Sequence, residues 1–275
     1  MLAATLLALG SAALHATWNL LVKVSRDRLL AGWGQFLVGG ILFAPVLLIT
    51  GPPGWDVAPY LLASSVIHVL YVLALTRAYH HGDFSLAYPL ARGGGALVAA
   101  VGGVVFLDDQ LSGLAWLAIA VIVLGLVSLV RPGTSKVALL WAGLTAATIG
   151  TYTTVDAAGA RDSNGFGYAA VLVLGAGLAL TVVLLASGRR ARMVPALRAE
   201  WRRFVVGGLC TALAYAMVLA AVRLAPVGYV AALRESSVVL GALAGWVFLH
   251  ERLGRARLVS SGVVAVGLVL LVVWR

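Results

Sequence analysis

The sequence is dominated by apolar runs of about 20 residues, each followed by a short break that is polar or contains glycine or proline. A helix of about 20 residues crosses the ~30 Å hydrocarbon layer of a bilayer. Within lipid, only helices and closed barrels satisfy all their backbone hydrogen bonds, and a barrel strand needs only ~10 residues. The sequence therefore predicts an all-α integral membrane protein.

Ten transmembrane helices are predicted, and they leave no room in the 275 residues for a separate soluble domain. Their approximate bounds are 2–22, 31–50, 57–79, 85–107, 111–130, 137–157, 165–186, 203–222, 226–249 and 256–274. The composition agrees, because 62% of the residues are hydrophobic and 11% are charged, whereas soluble domains are about 25% charged. The first run has no basic residues before it, so we expect an uncleaved span rather than a cleaved secretory signal.

Two stretches of the chain, 87–109 and 229–251, resemble each other. When they are superimposed, Arg92 falls on Arg234, small residues follow at matching positions, and both stretches end in an acidic residue. This similarity predicts a duplicated protein. Each unit has five spans, an odd number, so the two copies must face opposite sides of the membrane. The predicted inverted five-helix repeats are residues 1–133 and 134–275.

The basic residues lie mostly on one side of this arrangement. The loops after odd-numbered spans contain Lys23, Arg26, Arg28, Arg77, Arg131, Lys136, Arg189, Arg190, Arg192, Arg198, Arg202, Arg203, Arg252, Arg255 and Arg257. The opposite side has only Arg161, Arg223 and Arg275. Basic loops face the cytoplasm, so we expect a multi-pass protein of the plasma (inner) membrane with both termini outside. The net charge of +10 is explained in this way without nucleic acid as a partner.

Arg92 and Arg234 lie inside predicted spans, where an arginine costs about 2.5–3.5 kcal/mol on insertion scales. Gly95 lies on the same helix face as Arg92, so this face is expected to pack closely inside the bundle. A guanidinium matches a carboxylate or phosphate with two parallel hydrogen bonds, which makes both arginines candidates for binding anionic cargo. In the structural alternative, Glu235 or Asp156 neutralises Arg234, and backbone carbonyls surround Arg92.

The first span has a polar face that contains His15, Trp18 and Asn19. We expect these side chains to line a central cavity together with Tyr88 of the fourth span and Tyr152 of the sixth. A histidine in mid-membrane is expensive and can relay protons. The alternative interpretation is a histidine that is hydrogen-bonded to a neighbouring helix, with the tryptophan as plain packing.

Proton coupling has three candidate residues, Asp156, His15 and Glu235, because each can gain and lose a proton inside a predicted span. The alternative for Asp156 is a salt bridge at the membrane surface, since Arg161 follows closely in the sequence. No pattern typical of a metal site, a cofactor site or a catalytic centre is found, and no enzymatic activity is predicted.

Three motifs carry a resemblance to a known family. They are His15-Ala-Thr-Trp-Asn19 with Lys23 in the first span, and the segment ends Phe106-Leu-Asp-Asp109 and Phe248-Leu-His-Glu251-Arg-Leu. With the five-plus-five layout, the chain resembles the EamA-type carriers of the drug/metabolite transporter superfamily over nearly its whole length. The resemblance implies a secondary carrier with a central cavity between its halves. The small multidrug relatives have a glutamate in the first span, and this chain has no carboxylate there.

The predicted function is secondary active transport, in the export direction, of a small metabolite such as an amino acid or organic anion, by alternating access around a central cavity. Two alternatives are a proton-coupled exporter of multiple drugs or quaternary amines, and a membrane channel or structural partner. The expected partners are the small-molecule substrate and the lipid bilayer, and the expected assembly is a monomer or homodimer.

Overall fold

The computed structural model describes residues 1–82, 84–128, 135–237, 239–240 and 255–273, and these residues form helices without any strand. The helices are α1 Leu2–Val24, α2 Arg28–Phe43, α3 Leu47–Thr50, α4 Ala58–His81, α5 Phe84–Phe106, α6 Gly113–Val127, α7 Lys136–Arg161, α8 Gly165–Ala186, α9 Arg190–Val222, α10 Val227–Leu233 and α11 Arg255–Val273. Short 3₁₀ turns at Ala44–Val46 and Trp55–Val57 precede α3 and α4. The all-helical prediction is confirmed for the described chain.

Five stretches of the described residues are long and apolar enough to cross a membrane. They are Leu2–Val24, Arg28–Thr50, Trp55–His81, Gly165–Ala186 and Arg190–Val222. Shorter apolar helical stretches are Leu90–Phe106, Gly113–Gly125 and Gly262–Val273. The membrane character of the chain is thus supported by helix length and composition, while the total of ten spans stays a prediction.

Two predicted spans have a different form in the structure. The second is divided, because a 3₁₀ turn that contains Pro45 separates α2 from α3; proline lacks the N–H that a continuous helix needs. The eighth was predicted to begin at residue 203, but α9 begins at Arg190. The backbone leaves the helical region at Glu200 (φ −117°, ψ 18°), so α9 consists of two legs joined by a kink.

The ninth predicted span, 226–249, is interrupted near its arginine. Helix α10 ends at Leu233, and the chain tightens into a turn in which the Glu235 N–H donates to the Ala232 carbonyl and the Ser237 N–H donates to the Arg234 carbonyl, both at 3.0 Å. The prediction of a continuous helix is therefore wrong here. A local 3₁₀ stretch inside a helix often marks a hinge. Residues 241–254, which include the acidic end of the second repeat, lie outside the described residues.

The helices of each predicted half pack mainly on helices of the other half. Helices α4 and α5 pack on α7, α1 and α2 pack on α9, α2 packs on α8, and α6 packs on α11. Glycines allow the closest approaches, since a Cβ atom at Gly39 would collide with the backbone of Gly208. On the face of α5 that carries Arg92, a Cβ atom at Gly95 would lie 2.5 Å from the side chain of Ile149, as the small residues of that face predict.

Ion pairs join the helix ends at both sides of the bundle. At one side, the Asp109 carboxylate binds the Arg161 guanidinium at 2.7 Å and accepts a hydrogen bond of 2.7 Å from the Val227 N–H at the start of α10. At the other side, Asp27 lies 3.4 Å from the Arg189 guanidinium. The first cluster connects the ends of α5 and α7 to α10, and so fixes the ends of helices that carry site residues.

Candidate functional site

His15 of α1 receives two hydrogen bonds on one ring nitrogen. The Trp18 Nε1–H donates to His15 Nδ1 at 3.2 Å, and the Arg234 Nη2 group lies 3.3 Å from the same atom. Indole and guanidinium groups can only donate, so Nδ1 must carry a lone pair and the proton must lie on Nε2. The hydrogen-bond network therefore assigns the neutral Nε2–H tautomer to His15.

Arg234 is a buried cation that lacks a carboxylate partner among the described residues. Its side chain is 2% exposed, and none of the ion pairs in this part of the chain includes it. The Arg234 Nε and His15 Nε2 atoms are both buried and have no hydrogen-bond partner among the described residues. A buried donor without an acceptor costs about 1–3 kcal/mol, so these two donors favour an acceptor group beside them.

Arg92 of α5 differs from Arg234 in having a carboxylate partner, although the Nε atoms of both arginines lack a hydrogen-bond partner among the described residues. The Arg92 Nη2 atom binds the Glu235 carboxylate at 2.8 Å, and the two side chains are 3% and 1% exposed. The structural alternative from the sequence assigned Glu235 or Asp156 to Arg234 and backbone carbonyls to Arg92. That assignment is wrong, because Glu235 pairs with Arg92. The aligned arginines of the two stretches thus differ in charge compensation.

Asp156 of α7 is fully buried and lies among tyrosines. Its carboxylate accepts a hydrogen bond of 3.0 Å from the Tyr168 hydroxyl and a second one from the Tyr215 hydroxyl. Arg161 does not bind it, but pairs with Asp109 at the helix ends. The interpretation of Asp156 as a surface salt bridge is therefore wrong, because the two tyrosine hydroxyls occupy its oxygens inside the bundle.

A small cavity lies between α1, α2, α4, α7, α9 and the turn after α10. Its volume is about 10 Å³, roughly the room that one water molecule needs. The lining residues are His15, Trp18, Phe36, His68, Tyr71, Tyr152, Thr211, Ala214, Tyr215 and Arg234. Arg234 is the one charged side chain in this lining, and Asp156 lies directly behind Tyr215.

Four of the seven predicted substrate-binding residues, His15, Trp18, Tyr152 and Arg234, are brought to this cavity. Asn19 is placed behind it, where its side chain donates to the His15 carbonyl at 3.0 Å and accepts from the Tyr79 hydroxyl at 3.0 Å.

Tyr88 and Arg92 also lie outside the lining. Tyr88 stacks on the His15 ring, with 6.4 Å between the ring centroids, and donates to Ser237 at 3.0 Å. Tyr88 therefore supports the lining from behind through His15, and Arg92 pairs with Glu235, the residue after Arg234.

The sequence reasoning missed His68 of α4. Its ring stacks on Tyr152 with 4.1 Å between centroids, and its Nδ1 atom lies 2.9 Å from the Ser64 carbonyl. A carbonyl oxygen can only accept a hydrogen bond, so the ring proton of His68 lies on Nδ1. His15 has the opposite tautomer, with its proton on Nε2. The rule that singles out a histidine in mid-membrane applies equally to His68, and it would have found this residue.

The chain is similar to a protein of solved crystal structure with a TM-score of 0.77 and 16% identity, over 98% of this chain and 97% of the other. None of the curated proteins matches. The model of the EamA-like transporter family matches residues 136–273. The chain belongs to this family. The resemblance based on the sequence motifs is therefore confirmed.

As an EamA-like protein, the chain is a member of a family of membrane transporters within the drug/metabolite transporter superfamily, which points to a role other than an enzyme. The candidate substrate site is the small cavity inside the bundle, which has polar side chains in its lining. The lining combines the Arg234 guanidinium, which has no carboxylate partner among the described residues, with the His15 imidazole and several aromatic side chains. No group of three or more His, Cys, Asp or Glu side chains among the described residues is arranged to hold a metal ion.

Proposed function

We propose that the protein is a secondary active transporter that exports a small anionic or zwitterionic metabolite, such as an amino acid or organic anion. The observation that carries the proposal is Arg234, a buried cation without a carboxylate partner in the described chain, whose Nε atom and the neighbouring His15 Nε2–H lack acceptors. A carboxylate or phosphonate group supplies both a counter-charge and acceptor oxygens. The cargo takes the place that a protein carboxylate has beside Arg92.

The two arginines have different roles in this proposal. Arg234 binds the anionic group, with His15 as the second donor. Arg92 is held by Glu235 and keeps the turn after α10 in place. Trp18 and Tyr152 form the aromatic wall against the rest of the cargo, and Asn19 and Tyr88 hold the His15 region from behind.

Transport proceeds by alternating access between two inverted five-helix repeats, residues 1–133 and 134–275, with ten spans in total. The pattern of helix packing supports this. Helix α4 packs on α7, and α9 packs on α1, so in both cases the third span of one predicted half contacts the first span of the other half. The break in the ninth predicted span, where α10 ends just before Arg234, also supports alternating access, since broken helices form the central sites of inverted-repeat transporters. A cavity of about 10 Å³ is too small for a metabolite, so cargo enters only when the halves move apart.

The orientation follows from the loop charges. The arginine-rich loops after odd-numbered spans lie in the cytoplasm, both termini lie outside, and the membrane is the plasma (inner) membrane. Asp156 is the group that carries a coupling proton. It is buried, its oxygens accept hydrogen bonds from hydroxyl groups of Tyr168, Tyr215 and Ser64 and bind no cation among the described residues, and Tyr215 lines the cavity. His15 and Glu235 contribute to binding and to the pair with Arg92.

A ligand screen with matched variants tests the proposal. Purified protein is heated in the presence of amino acids, organic acids, phosphonates or quaternary amines, because a ligand of the folded state raises the melting temperature. Carboxylates or phosphonates are expected to stabilise the wild type. Arg234→Gln is expected to lose at least about 30-fold in affinity, since removal of one partner of a buried charged pair costs about 2–5 kcal/mol.

The matched control is the double variant Arg92→Gln with Glu235→Gln, which removes a buried charge pair without changing the net charge. It is expected to weaken anion binding less than Arg234→Gln does, because the Arg234 guanidinium remains although the turn that carries it loses the Arg92–Glu235 pair. Equal affinity in Arg234→Gln and the wild type would refute the role of Arg234. Stabilisation by quaternary amines alone would favour the alternative exporter, in which the rings of Tyr71, Tyr152 and Tyr215 hold a cation.

A further inference from the structure

A second charged feature lies at the end of the bundle, far along α9 from the central cavity. A groove of about 590 Å³ is lined by Arg26, Ala199, Glu200, Trp201, Arg202 and Arg203. Arg26 comes from the turn between α1 and α2, and the other residues surround the kink of α9. Two elements that are distant in sequence therefore form the groove, and nothing in the transport mechanism uses it.

The groove has an excess of positive charge. Arg203 is paired with Glu200 at 3.3 Å, and Ser25 also donates to the Glu200 carboxylate at 3.3 Å. Arg26 and Arg202 take part in none of the ion pairs found in the described part of the chain. These two arginines are exposed to the groove and leave it with two uncompensated positive charges.

The length of α9 places the groove at the level of the lipid headgroups. With 33 residues, the helix is about 50 Å long at 1.5 Å per residue, whereas the hydrocarbon layer needs only about 20 residues. The leg after the kink is long enough to cross the layer, so the kink and the groove lie at its edge. Trp201 is 55% exposed beside Arg202, whose guanidinium lies 5.4 Å from the indole ring. Exposed tryptophan is typical of the membrane interface.

The first leg of α9 has the pattern of a helix that lies in the membrane interface. Met193 is buried and Leu197 is partly buried against the protein, while Val194 is 54% exposed. Arg190 and Arg198 of the same leg are exposed. A basic amphipathic helix with exposed apolar groups is typical of the boundary between headgroups and acyl chains. A soluble anion would not require the exposed indole of Trp201 in the groove lining.

We propose that this groove binds the headgroup of one anionic phospholipid, with its phosphate between Arg26 and Arg202. Trp201 packs against the glycerol region of the same lipid. The negative charge of Glu200 is offset by Arg203, which lies 3.3 Å from its Oε2 atom, so Arg26 and Arg202 still give the groove a net positive charge. The site is independent of the proposed transport function, since it requires only that this end of α9 lies at the membrane surface.

Native mass spectrometry of the detergent-purified protein tests the site. The protein is titrated with phosphatidylglycerol or with phosphatidylcholine, and the first bound lipid is quantified. The wild type is expected to prefer phosphatidylglycerol by about tenfold or more. Because each arginine near an anionic lipid contributes roughly a fivefold factor in affinity, Arg26→Gln with Arg202→Gln is expected to weaken phosphatidylglycerol binding about 30-fold.

The control is Arg190→Gln with Arg198→Gln, which removes the same charge from exposed positions on the same helix but outside the groove. It is expected to weaken phosphatidylglycerol binding clearly less than the groove pair does, because neither side chain lines the groove that holds the headgroup. The single variants Arg26→Gln and Arg202→Gln give intermediate losses. All four substituted arginines are exposed, so none of these variants is expected to affect folding. An unchanged melting temperature verifies this for each variant.

Three results would overturn the proposal. Equal affinity for phosphatidylglycerol and phosphatidylcholine would mean that the groove does not distinguish lipids by the charge of their headgroups. An equal loss in the control pair would mean that charge acts diffusely over the whole leg. Binding of glycerol 3-phosphate alone as tightly as phosphatidylglycerol would mean that the groove serves a soluble anion.

Discussion

The pair of Glu235 and Arg92 gives the sharpest test of the site's electrostatics. The two side chains are 1% and 3% exposed and their charged atoms are 2.8 Å apart. Glu235→Gln leaves a buried guanidinium without a counter-charge, close to Arg234, which already lacks one in the described chain. Loss of one partner of a buried ion pair costs about 3–5 kcal/mol. At roughly 2–4 °C per kcal/mol for a chain of this size, the melting temperature should fall by about 6–20 °C.

A double-mutant cycle measures the pair itself. Glu235→Gln, Arg92→Gln and the double variant are purified in the same detergent, and their thermal unfolding is compared with the wild type. Each single variant is expected to be strongly destabilised. The double variant should be more stable than the sum of the single losses predicts, by about 0.5–3 kcal/mol, because neither partner of this pair is left behind as an unpaired charge.

Two outcomes would refute this reasoning. Glu235→Gln with a melting temperature within about 2 °C of the wild type would mean that the pair contributes little to the fold. Strictly additive losses in the cycle would mean that the two side chains do not interact. A stabilising anion offers a further check, since it should raise the melting temperature of the double variant as it does that of the wild type.

Three further predictions concern coupling, stability and orientation. Asp156→Asn should make transport into proteoliposomes independent of pH, and an unchanged pH profile would remove this carboxylate from proton coupling. Asp109→Asn should lower the stability by about 1–3 kcal/mol, because its arginine partner and the backbone N–H at the start of α10 lose a charged acceptor; unaltered thermal unfolding would contradict this. In a Cys210→Ala background, a membrane-impermeant maleimide should label Gln110→Cys in intact cells but Ser187→Cys only after permeabilisation, and the reverse pattern would invert the proposed orientation.

Several parts of the site could be predicted from the sequence because the bilayer makes polar residues conspicuous. His15, Tyr152 and Arg234 were singled out as costly or polar groups inside apolar runs, and the structure brings them to one cavity. His68 was equally visible and was overlooked. The small residues on the face of Arg92 correctly indicated close packing, since Gly95 contacts α7 without room for a side chain.

Charge pairing could not be predicted, because it depends on distances between helices. Glu235 is the neighbour of Arg234 in the sequence, yet the turn after α10 directs its carboxylate to Arg92. Asp156 is five residues before Arg161 on the same helix, yet the arginine reaches Asp109 at the end of another helix. Sequence proximity does not decide between partners when side chains of several helices converge.

The sequence by itself determined the helical membrane class and the family, since the length and apolarity of the runs leave a chain in lipid few alternatives. Only the tertiary structure decided the break of the ninth predicted span after α10 and the kink of α9. It also decided which of the two aligned arginines lacks a carboxylate partner among the described residues. The physical reason is that hydrophobic length is a property of one segment. Hydrogen bonding and charge compensation in a low-dielectric interior depend instead on which atoms of several helices come within about 3 Å of each other.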